Sequence, residues 1–206
     1  MRVLLPAVLV LVAACSSASD ASVVPGASDD GGSSPKAVAV GNAPSEGPTS
    51  AKVVVVEFGD FECPFCGEEE PIVTQMLTDY EGRIRFVFKE FPLASIHPYA
   101  ELAAEAALAA NAQGKFWPYH DALYANQTAL SRSSLDKYAT DVGLDLTKFD
   151  AALDNGTFAS AVAADVAQGT TLGVGGTPTF FINGIAVVGA VPYSDLQSVI
   201  DAQLAK

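Results

Sequence analysis

The pattern of apolar and polar positions predicts a strand, a helix and a second strand near the start of the folded part of the chain. Val53–Val56 is a run of four valines, which is typical of a strand buried on both faces. Cys66–Tyr80 suits a helix, with Pro64 favourable in the first turn and a kink expected at Pro71. Arg83–Phe91 alternates basic and apolar residues before it becomes apolar, as strands do. Elements of these lengths make a βαβ unit with parallel strands.

The middle of the chain has no convincing strand pattern and predicts a block of helices. Between about residues 98 and 172, Ala/Leu-rich and aromatic segments are separated by Gly breaks and begin with Ser, Asp or Thr. The predicted helices are Pro98–Ala112, Lys115–Ala125, Ser133–Val142, Leu146–Leu153 and Gly156–Gly169. At about seventy residues, this block is too long for a plain connection between two strands. It therefore predicts an all-helical insertion.

The last part of the chain returns to strands. Thr179–Asn183 and Ile185–Val188 predict a hairpin, and Pro192–Ala205 predicts a final amphipathic helix. Upstream of the valine run, Lys36–Val40 is a short apolar stretch that predicts a first edge strand, followed by a loop over Gly41–Ser50. The resulting fold class is α/β, a βαβ unit and a ββα unit with the helical insertion between them.

The N-terminus has the pattern of an export signal. Met1 and Arg2 precede the apolar stretch Val3–Val12, which is too short to span a bilayer. It ends in Val-Ala-Ala-Cys, which resembles the lipobox of bacterial lipoproteins, where cleavage precedes a cysteine that then becomes lipidated. We expect Cys15 to carry the lipid, and an ordinary signal peptide cut near Ala14 is the alternative. Either interpretation predicts an exported protein.

Composition divides the chain further. Residues 1–14 are the predicted lipoprotein-type signal peptide, 15–35 a lipidated cysteine with a Ser, Ala, Asp and Gly tether, and 36–206 the folded domain. The formal net charge of −13 argues against nucleic acid as a partner and against electrostatic binding to anionic lipid. We therefore expect membrane attachment through the lipid rather than through charge.

With Cys15 assigned to lipid, two of the three cysteines remain as a Cys-x-x-Cys pair. Cys63 should lie at the N-terminus of the first helix, where backbone N–H groups and the helix dipole stabilise a thiolate. Thiolates attack disulfides, and Cys66 is close enough to bond with Cys63. We expect Cys63 to be the exposed nucleophile and Cys66, one turn deeper, to close and open the ring.

The pair has two other possible roles, a structural zinc site and a structural disulfide. Structural zinc would need two further ligands, and the chain offers only His97 and His120 at unhelpful spacing. A purely structural disulfide between Cys63 and Cys66 would close a short loop and constrain the unfolded chain little. Redox chemistry without a metal is therefore favoured. His120, in an aromatic stripe, is expected to pack in the core, and His97 to lie in a loop or cap.

The order of the predicted elements, with Cys-x-x-Cys after a strand and Thr-Pro before the hairpin, resembles the DsbA-like branch of the thioredoxin superfamily. The resemblance covers residues 51–206. Four local matches carry it: Val-Glu-Phe-Gly-Asp-Phe-Glu-Cys-Pro-Phe-Cys, Phe-Lys-Glu-Phe-Pro-Leu, Gln-Gly-Lys-Phe-Trp-Pro-Tyr-His-Asp-Ala-Leu and Gly-Thr-Pro-Thr-Phe-Phe-Ile-Asn-Gly. Together they are far more specific than Cys-x-x-Cys alone.

The resemblance implies roles for further residues. Pro178 matches the cis-proline that faces the disulfide and leaves the Thr177 backbone free to pair with a substrate strand. Glu57 matches the buried acid that assists proton transfer at the second cysteine, and a residue that merely ends the strand is the alternative. The dipeptide Pro64-Phe65 departs from the Pro-His of the strongest oxidants. Without an imidazolium beside Cys63, the oxidising strength is left open.

These observations predict a thiol-disulfide oxidoreductase that is exported and lipid-anchored to a bacterial membrane. Its expected partners are exported proteins with thiols and a membrane redox partner that resets the pair, and the expected state is a monomer. No cofactor beyond the Cys63–Cys66 disulfide is expected. Two alternatives are a reductase or isomerase with the same fold and a redox-inactive binding lipoprotein that uses the fold as a scaffold.

Overall fold

The computed structural model of the protein describes residues 35–206, which contain five strands and seven helices. The strands are β1 (Ser45–Glu46), β2 (Val53–Gly59), β3 (Ile84–Glu90), β4 (Thr179–Ile182) and β5 (Ile185–Val188). The helices are α1 (Pro64–Asp79), α2 (Ala100–Asn111), α3 (Phe116–Tyr124), α4 (Arg132–Asp141), α5 (Leu146–Asp154), α6 (Ala159–Thr171) and α7 (Tyr193–Leu204). This is the predicted fold class, with the predicted order of elements.

The sheet has the order β1-β3-β2-β4-β5, so the valine-rich strand β2 lies at its centre. β2 pairs in parallel with β3 from Val53↔Ile84 to Gly59↔Glu90 and antiparallel with β4. Four of the five side chains from Val55 to Gly59 are apolar or absent, and all five residues are buried. The exception is Glu57, whose carboxyl group therefore lies inside the protein. The βαβ prediction is confirmed, and α1 continues through Pro71 without interruption.

Several clusters of buried side chains surround the sheet. On one side, residues of α1 and α7 such as Val73, Met76, Leu196 and Ile200 pack against the strands. The insertion forms a second core, in which small alanine side chains of α2 allow α3, α4 and α5 to approach closely. Phe61 and Phe88 belong to this second core, and so they connect the insertion to the ends of β2 and β3.

The predicted edge strand Lys36–Val40 is wrong. The edge is β1, which lies inside the segment predicted to be a loop and pairs antiparallel with β3. The Lys36 N–H donates instead to the Gly184 carbonyl, and Val38 and Val40 pack against the sheet core. The apolar run covers a face of the sheet, where Val38 and Val40 are partly buried. Apolar periodicity alone does not distinguish these two placements.

The predicted signal peptide, Cys15 and all but the end of the tether lie outside residues 35–206, so the structure does not describe them. Within the described part of the chain, no helix is both long and apolar enough to cross a membrane.

Candidate active site

Cys63 is the N-cap residue of α1, and Pro64 occupies the first helical position. Proline fits there because its missing N–H would have no partner in the first turn and its fixed φ suits a helix. The carbonyl of Cys63 accepts from the N–H groups of Cys66 and Gly67, at 3.1 and 3.3 Å, and this starts the helix. The strand-to-helix junction thus places both cysteines at the end of the central strand.

The two cysteines are free thiols in the structure, and both are buried. Cys63 is 3% exposed and Cys66 is 1% exposed. The expectation of an exposed nucleophile is therefore wrong for Cys63, because Thr177 and the neighbouring loops cover it. Cys63 nevertheless lines a surface cavity, whereas Cys66 is not among the residues that line it. Cys63 is therefore the more accessible of the two cysteines, as expected for the nucleophile.

The pKa of Cys63 is lowered from 9.0 to about 5. The largest cause is a hydrogen bond with the Cys66 side chain, and burial opposes it. Hydrogen bonds from Thr177 and from the backbone N–H groups of Cys66 and Phe65 lower the pKa further. The helix N-terminus therefore acts as predicted, but the other cysteine contributes more.

The pKa of Cys66 is raised far above its ordinary value, first by burial and then by its hydrogen bond to Cys63. The charge of Glu57 raises it further. Glu57 is itself 1% exposed, and burial raises its pKa well above 4.5, with smaller contributions from Glu70 and Glu69. Glu57 Oε2 has no hydrogen-bond partner among the described residues. The structure thus places an incompletely paired carboxyl, whose pKa is raised by burial, close enough to Cys66 to affect the pKa of that thiol.

The glutamates at the start of α1 do not gather around Cys63. Glu69 accepts a hydrogen bond from the Val191 N–H at 3.0 Å, and Glu70 lies 3.6 Å from His120. Neither is among the causes that shift the Cys63 pKa. Glu69 and Glu70 therefore add no like-charge repulsion to the Cys63 thiolate, because their side chains contact other parts of the protein.

Thr177 lies opposite the cysteines, and the Thr177–Pro178 peptide bond is cis, as the resemblance implied. The Cys63 thiol donates to the Thr177 carbonyl at 3.3 Å. Thr177 Oγ1 is buried and has no hydrogen-bond partner in the described part of the chain. It can donate to Cys63 once that sulfur is a thiolate, and this is the hydrogen bond from Thr177 that lowers the Cys63 pKa.

A cavity of about 360 Å³ opens beside Cys63, and its lining is mostly apolar. Three large apolar side chains at its rim are exposed to solvent: Phe65 is 56% exposed, Ile96 69% and Val188 68%. They come from α1, from the loop after β3 and from β5, so separate parts of the chain build the rim. Phe65, singled out as a residue that tunes the thiolate, thus also forms part of an apolar surface next to the sulfur.

Two groups of residues around the site were not found from the sequence. Asp60 is fully buried and accepts from the Glu62 N–H, the Leu93 N–H and His97 Nδ1, at 2.8, 2.8 and 2.7 Å. His97 also lines the cavity at Cys63, so Asp60 ties the loop after β3 to the site. The signal available in the sequence was that Asp60 lies in the short segment between the valine run and Cys63.

Gln127 is the second missed contributor. Its side-chain amide donates to the carbonyls of Phe61 and Cys63 at 3.0 and 2.7 Å. The residue belongs to the helical insertion and lies 64 positions from Cys63, and nothing in its local sequence indicates this contact. His120 packs among the aromatic rings of the insertion core as predicted.

This arrangement defines a protein with a thioredoxin fold and a paired-thiol centre. A family profile described as "Thioredoxin" matches residues 40–202, and the chain belongs to this family.

Comparison with solved structures supports the same fold and family. The chain is 33% identical to a thioredoxin-like oxidoreductase from Silicibacter pomeroyi DSS-3, with a TM-score of 0.72 over 80% of this chain and 94% of the other. It is 26% identical to the thiol-disulfide exchange protein α-DsbA2 from Wolbachia pipientis, with a TM-score of 0.70 over 78% and 86%. The predicted resemblance to the DsbA-like branch is confirmed.

Among curated relatives, the chain is 48% identical over 138 residues to the Na⁺/H⁺ antiporter NhaA 3 of Salinispora tropica. This match covers 67% of this chain and 21% of the antiporter. The chain thus spans about a fifth of the length of the curated relatives that it matches.

Proposed function

We propose that this chain is an extracytoplasmic, membrane-anchored thiol-disulfide oxidoreductase that forms disulfide bonds in exported proteins through Cys63 and Cys66. The observation that carries the proposal is the opposite shift of the two thiol pKa values, lowered to about 5 at Cys63 and raised at Cys66. A thiol of low pKa is a thiolate at neutral pH and a good leaving group. The solved structures described as oxidoreductases support this enzyme class.

The reaction begins with the oxidised pair. A substrate thiolate attacks Cys63 Sγ, a bond forms between these two sulfurs, and the Cys63–Cys66 bond breaks with Cys66 leaving as a thiolate. The substrate's second thiolate then attacks the substrate sulfur of the mixed disulfide, and Cys63 leaves as a thiolate. The substrate has lost two electrons to become a disulfide, and the enzyme has become a dithiol.

The leaving Cys66 needs a proton, because its pKa is raised and its thiolate is unstable in the buried site. Glu57 is the candidate donor, since burial raises its pKa, so that it holds its proton to higher pH than an ordinary carboxyl, and its charge affects the pKa of Cys66. General acid–base catalysis of this kind contributes about 10²–10⁴-fold in many enzymes. The same carboxyl would take the proton back when the pair is reoxidised.

Substrate recognition is proposed to use the apolar cavity and the Thr177 backbone. An unfolded exported protein presents apolar side chains next to its thiols, and the exposed Phe65, Ile96 and Val188 offer a matching surface. Hydrogen bonding to the Thr177 main chain would align an extended segment beside Cys63 without reading its sequence. Such a site suits many substrates rather than one.

Replacing Glu57 and Glu90 by glutamine separates the catalytic role of a buried carboxyl from its effect on stability. Both residues are 1% exposed, and burial raises both pKa values well above 4.5. Above a pH of about 4.5 the unfolded state releases these protons and the folded state holds them, so each carboxyl costs stability as pH rises. We expect Glu57→Gln and Glu90→Gln both to raise the melting temperature at neutral pH.

Only Glu57→Gln should slow thiol oxidation, by about tenfold or more, because Glu90 is not among the causes of the Cys66 shift. Melting curves and oxidation rates for both variants check this. Equal oxidation rates for Glu57→Gln and Glu90→Gln would remove Glu57 from the proton-transfer step.

Two assays distinguish oxidase, reductase and binding protein. The oxidised chain is mixed with a reduced, unfolded two-cysteine substrate, and the reduced chain is mixed with insulin. We expect fast oxidation of the substrate, slow reduction of insulin, and neither activity in a Cys63→Ser/Cys66→Ser variant. Insulin reduction that outpaces thiol oxidation would favour a reductase, and no activity in either assay would favour a binding lipoprotein.

The export signal and lipid anchor belong to the proposal. Their support is the Val-Ala-Ala-Cys sequence that ends at Cys15 and the polar stretch after it. A membrane partner that reoxidises the pair is proposed because each turnover leaves the enzyme reduced. The match to a segment of proteins named Na⁺/H⁺ antiporters is compatible with a place beside a membrane, and ion transport is not proposed because that segment is about a fifth of the antiporter. A monomer is proposed, and no nucleic acid is expected as a partner.

Cys15→Ser should release the protein from membranes and leave thiol oxidation unchanged. Acylation at a lipobox cysteine gives several chains, and several chains anchor a protein stably where one is marginal. Fractionation of cells that produce the wild-type chain or the variant, followed by the oxidation assay, measures both properties. A variant that stays in the membrane fraction and needs detergent for its release would contradict the lipid anchor.

A further inference from the structure

A second cavity, of about 480 Å³, shares no lining residue with the apolar cavity and is lined by residues of β1, α1, β3 and α3 and by Glu81. Its polar lining is strongly acidic, with the carboxyl groups of Glu46, Glu70, Glu81 and Asp121. No Lys or Arg is among its lining residues in the described part of the chain. Four carboxyl groups therefore share one concave surface without a basic side chain in it.

His120 gives this cavity a buried nitrogen ligand. Its side chain is 3% exposed and is fixed by aromatic rings at centroid distances of 4.8–5.6 Å. Nδ1 lies 3.0 Å from Asp121 Oδ1, which favours a proton on Nδ1 and a free lone pair on Nε2. Nε2 is buried and has no hydrogen-bond partner within residues 35–206. A rigidly held imidazole thus directs an unused lone pair toward the cavity.

Glu70 lies next to that lone pair. Its Oε1 is 3.6 Å from His120 Nε2, which is too long for a hydrogen bond. Two ligand atoms at this separation can share a cation with bonds of about 2.0–2.2 Å, at an angle of roughly 120°. One donor atom from each of Glu70, His120 and Asp121 lies within 4.8 Å of the others. The distance between Glu70 Oε1 and His120 Nε2 therefore suits two ligands of one metal ion better than it suits a direct hydrogen bond.

We propose that this cavity binds a divalent transition-metal cation of the Zn²⁺ class, with His120 Nε2 and Glu70 as ligands and Asp121 holding the imidazole through Nδ1. A carboxylate that orients a metal-bound histidine through its second nitrogen is a common arrangement in zinc proteins. The imidazole favours Zn²⁺ over Ca²⁺, which takes oxygen ligands. Water and the nearby carboxyl of Glu46 are available for the remaining positions.

The electrostatics agree with this placement. The pKa values of Glu46 and Glu70 are both raised, first by burial; the charge of Asp121 adds to each shift, and that of His120 opposes it. A divalent cation would offset this repulsion. Glu70 also contributes to the raised pKa of Glu57, so a cation at Glu70 would act on the carboxyl beside Cys66. The site is therefore separate from the thiols in space but linked to them by charge.

The test uses the full chain with Cys15, Cys63 and Cys66 all replaced by serine, because thiolates would themselves bind Zn²⁺. This background also makes the result independent of the proposed redox function. Calorimetric titration with Zn²⁺ alone should give one site per chain, and Ca²⁺ should bind far more weakly. Zn²⁺ should also raise the melting temperature.

Three single variants in this background locate the site. Glu70→Gln removes a ligand, and Asp121→Asn weakens the support of the imidazole, so each should lower Zn²⁺ affinity by about tenfold or more. Glu68→Gln removes the same charge from an exposed position on α1 and should leave the affinity unchanged. Melting curves without metal confirm that each variant is folded. No binding at millimolar Zn²⁺, equal affinity for Ca²⁺, or equal losses in Glu68→Gln and Glu70→Gln would each overturn the proposal.

Discussion

Cys66→Ser should trap the enzyme covalently on its substrates, whereas Cys63→Ser should trap nothing. In the Cys66→Ser variant, the Thr177 side chain and the backbone N–H groups of residues 65 and 66 still stabilise a thiolate at Cys63, although the largest cause of its lowered pKa, the Cys66 thiol, is gone. When this thiolate attacks a disulfide of a substrate protein, one substrate sulfur leaves as a thiolate, and the mixed disulfide at Cys63 has no second enzyme thiol to resolve it. Both variants should lose essentially all thiol oxidation, because each lacks one sulfur of the exchanging pair. Non-reducing gels and mass spectrometry of cells that produce each variant identify the trapped proteins.

The Cys63→Ser variant is the matched control, because it has the same number of cysteines. Its remaining thiol is buried and its pKa is raised, so it should react slowly. Comparable mixed disulfides through Cys66 would contradict the roles of the two sulfurs. Trapped species that contain only cytoplasmic proteins would contradict the exported location and leave the exchange chemistry intact.

The second large effect is a pH-dependent difference in stability between the reduced and oxidised forms. Cys63 titrates near pH 5 in the folded reduced protein, against 9.0 as its ordinary value. A lowered pKa stabilises the reduced form fully above the unfolded value, and this stability is lost as pH falls through the folded value. The oxidised form has no thiol to titrate. The melting temperature of the reduced form should therefore exceed that of the oxidised form at pH 7, by several degrees.

The difference between the two forms should shrink steadily from pH 9 to pH 5, as expected from the lowered pKa of Cys63. Subtracting one form from the other cancels the titration of groups that both forms share. In parallel, the rate of Cys63 alkylation should follow a titration with its midpoint near pH 5, and Cys66 should react slowly throughout. A difference that does not change with pH would mean that the Cys63 thiolate is not stabilised in the folded protein.

Much of the fold could be predicted because the apolar runs are long and well separated. The valine run became the central strand, the strand from Ile84 to Glu90 became its parallel neighbour, and the alanine-rich block became the helical insertion. The pair Cys63 and Cys66 could be placed because a strand, a break and Pro64 specify a helix start. These are local signals, and local signals suffice for element type.

What could not be predicted depends on contacts between distant parts of the chain. Gln127 reaches the Cys63 carbonyl from the insertion, and His97 binds Asp60 across 37 positions. The largest contribution to the Cys63 pKa, a hydrogen bond with Cys66, depends on rotamers that the spacing does not determine. The position of Lys36–Val40 could not be predicted for the same reason. Its apolar residues could pack either at the edge of the sheet or on its face, and the structure places them on the face.

The reduction potential of the Cys63–Cys66 pair tests the central claim most directly. It can be measured by equilibrating the purified chain with glutathione mixtures and trapping the free thiols. Because the reduced form is stabilised by the lowered Cys63 pKa, we expect a potential less negative than about −200 mV, on the oxidising side. A more negative value would contradict an oxidase, and a value near the roughly −270 mV of thioredoxin would identify the chain as a reductase.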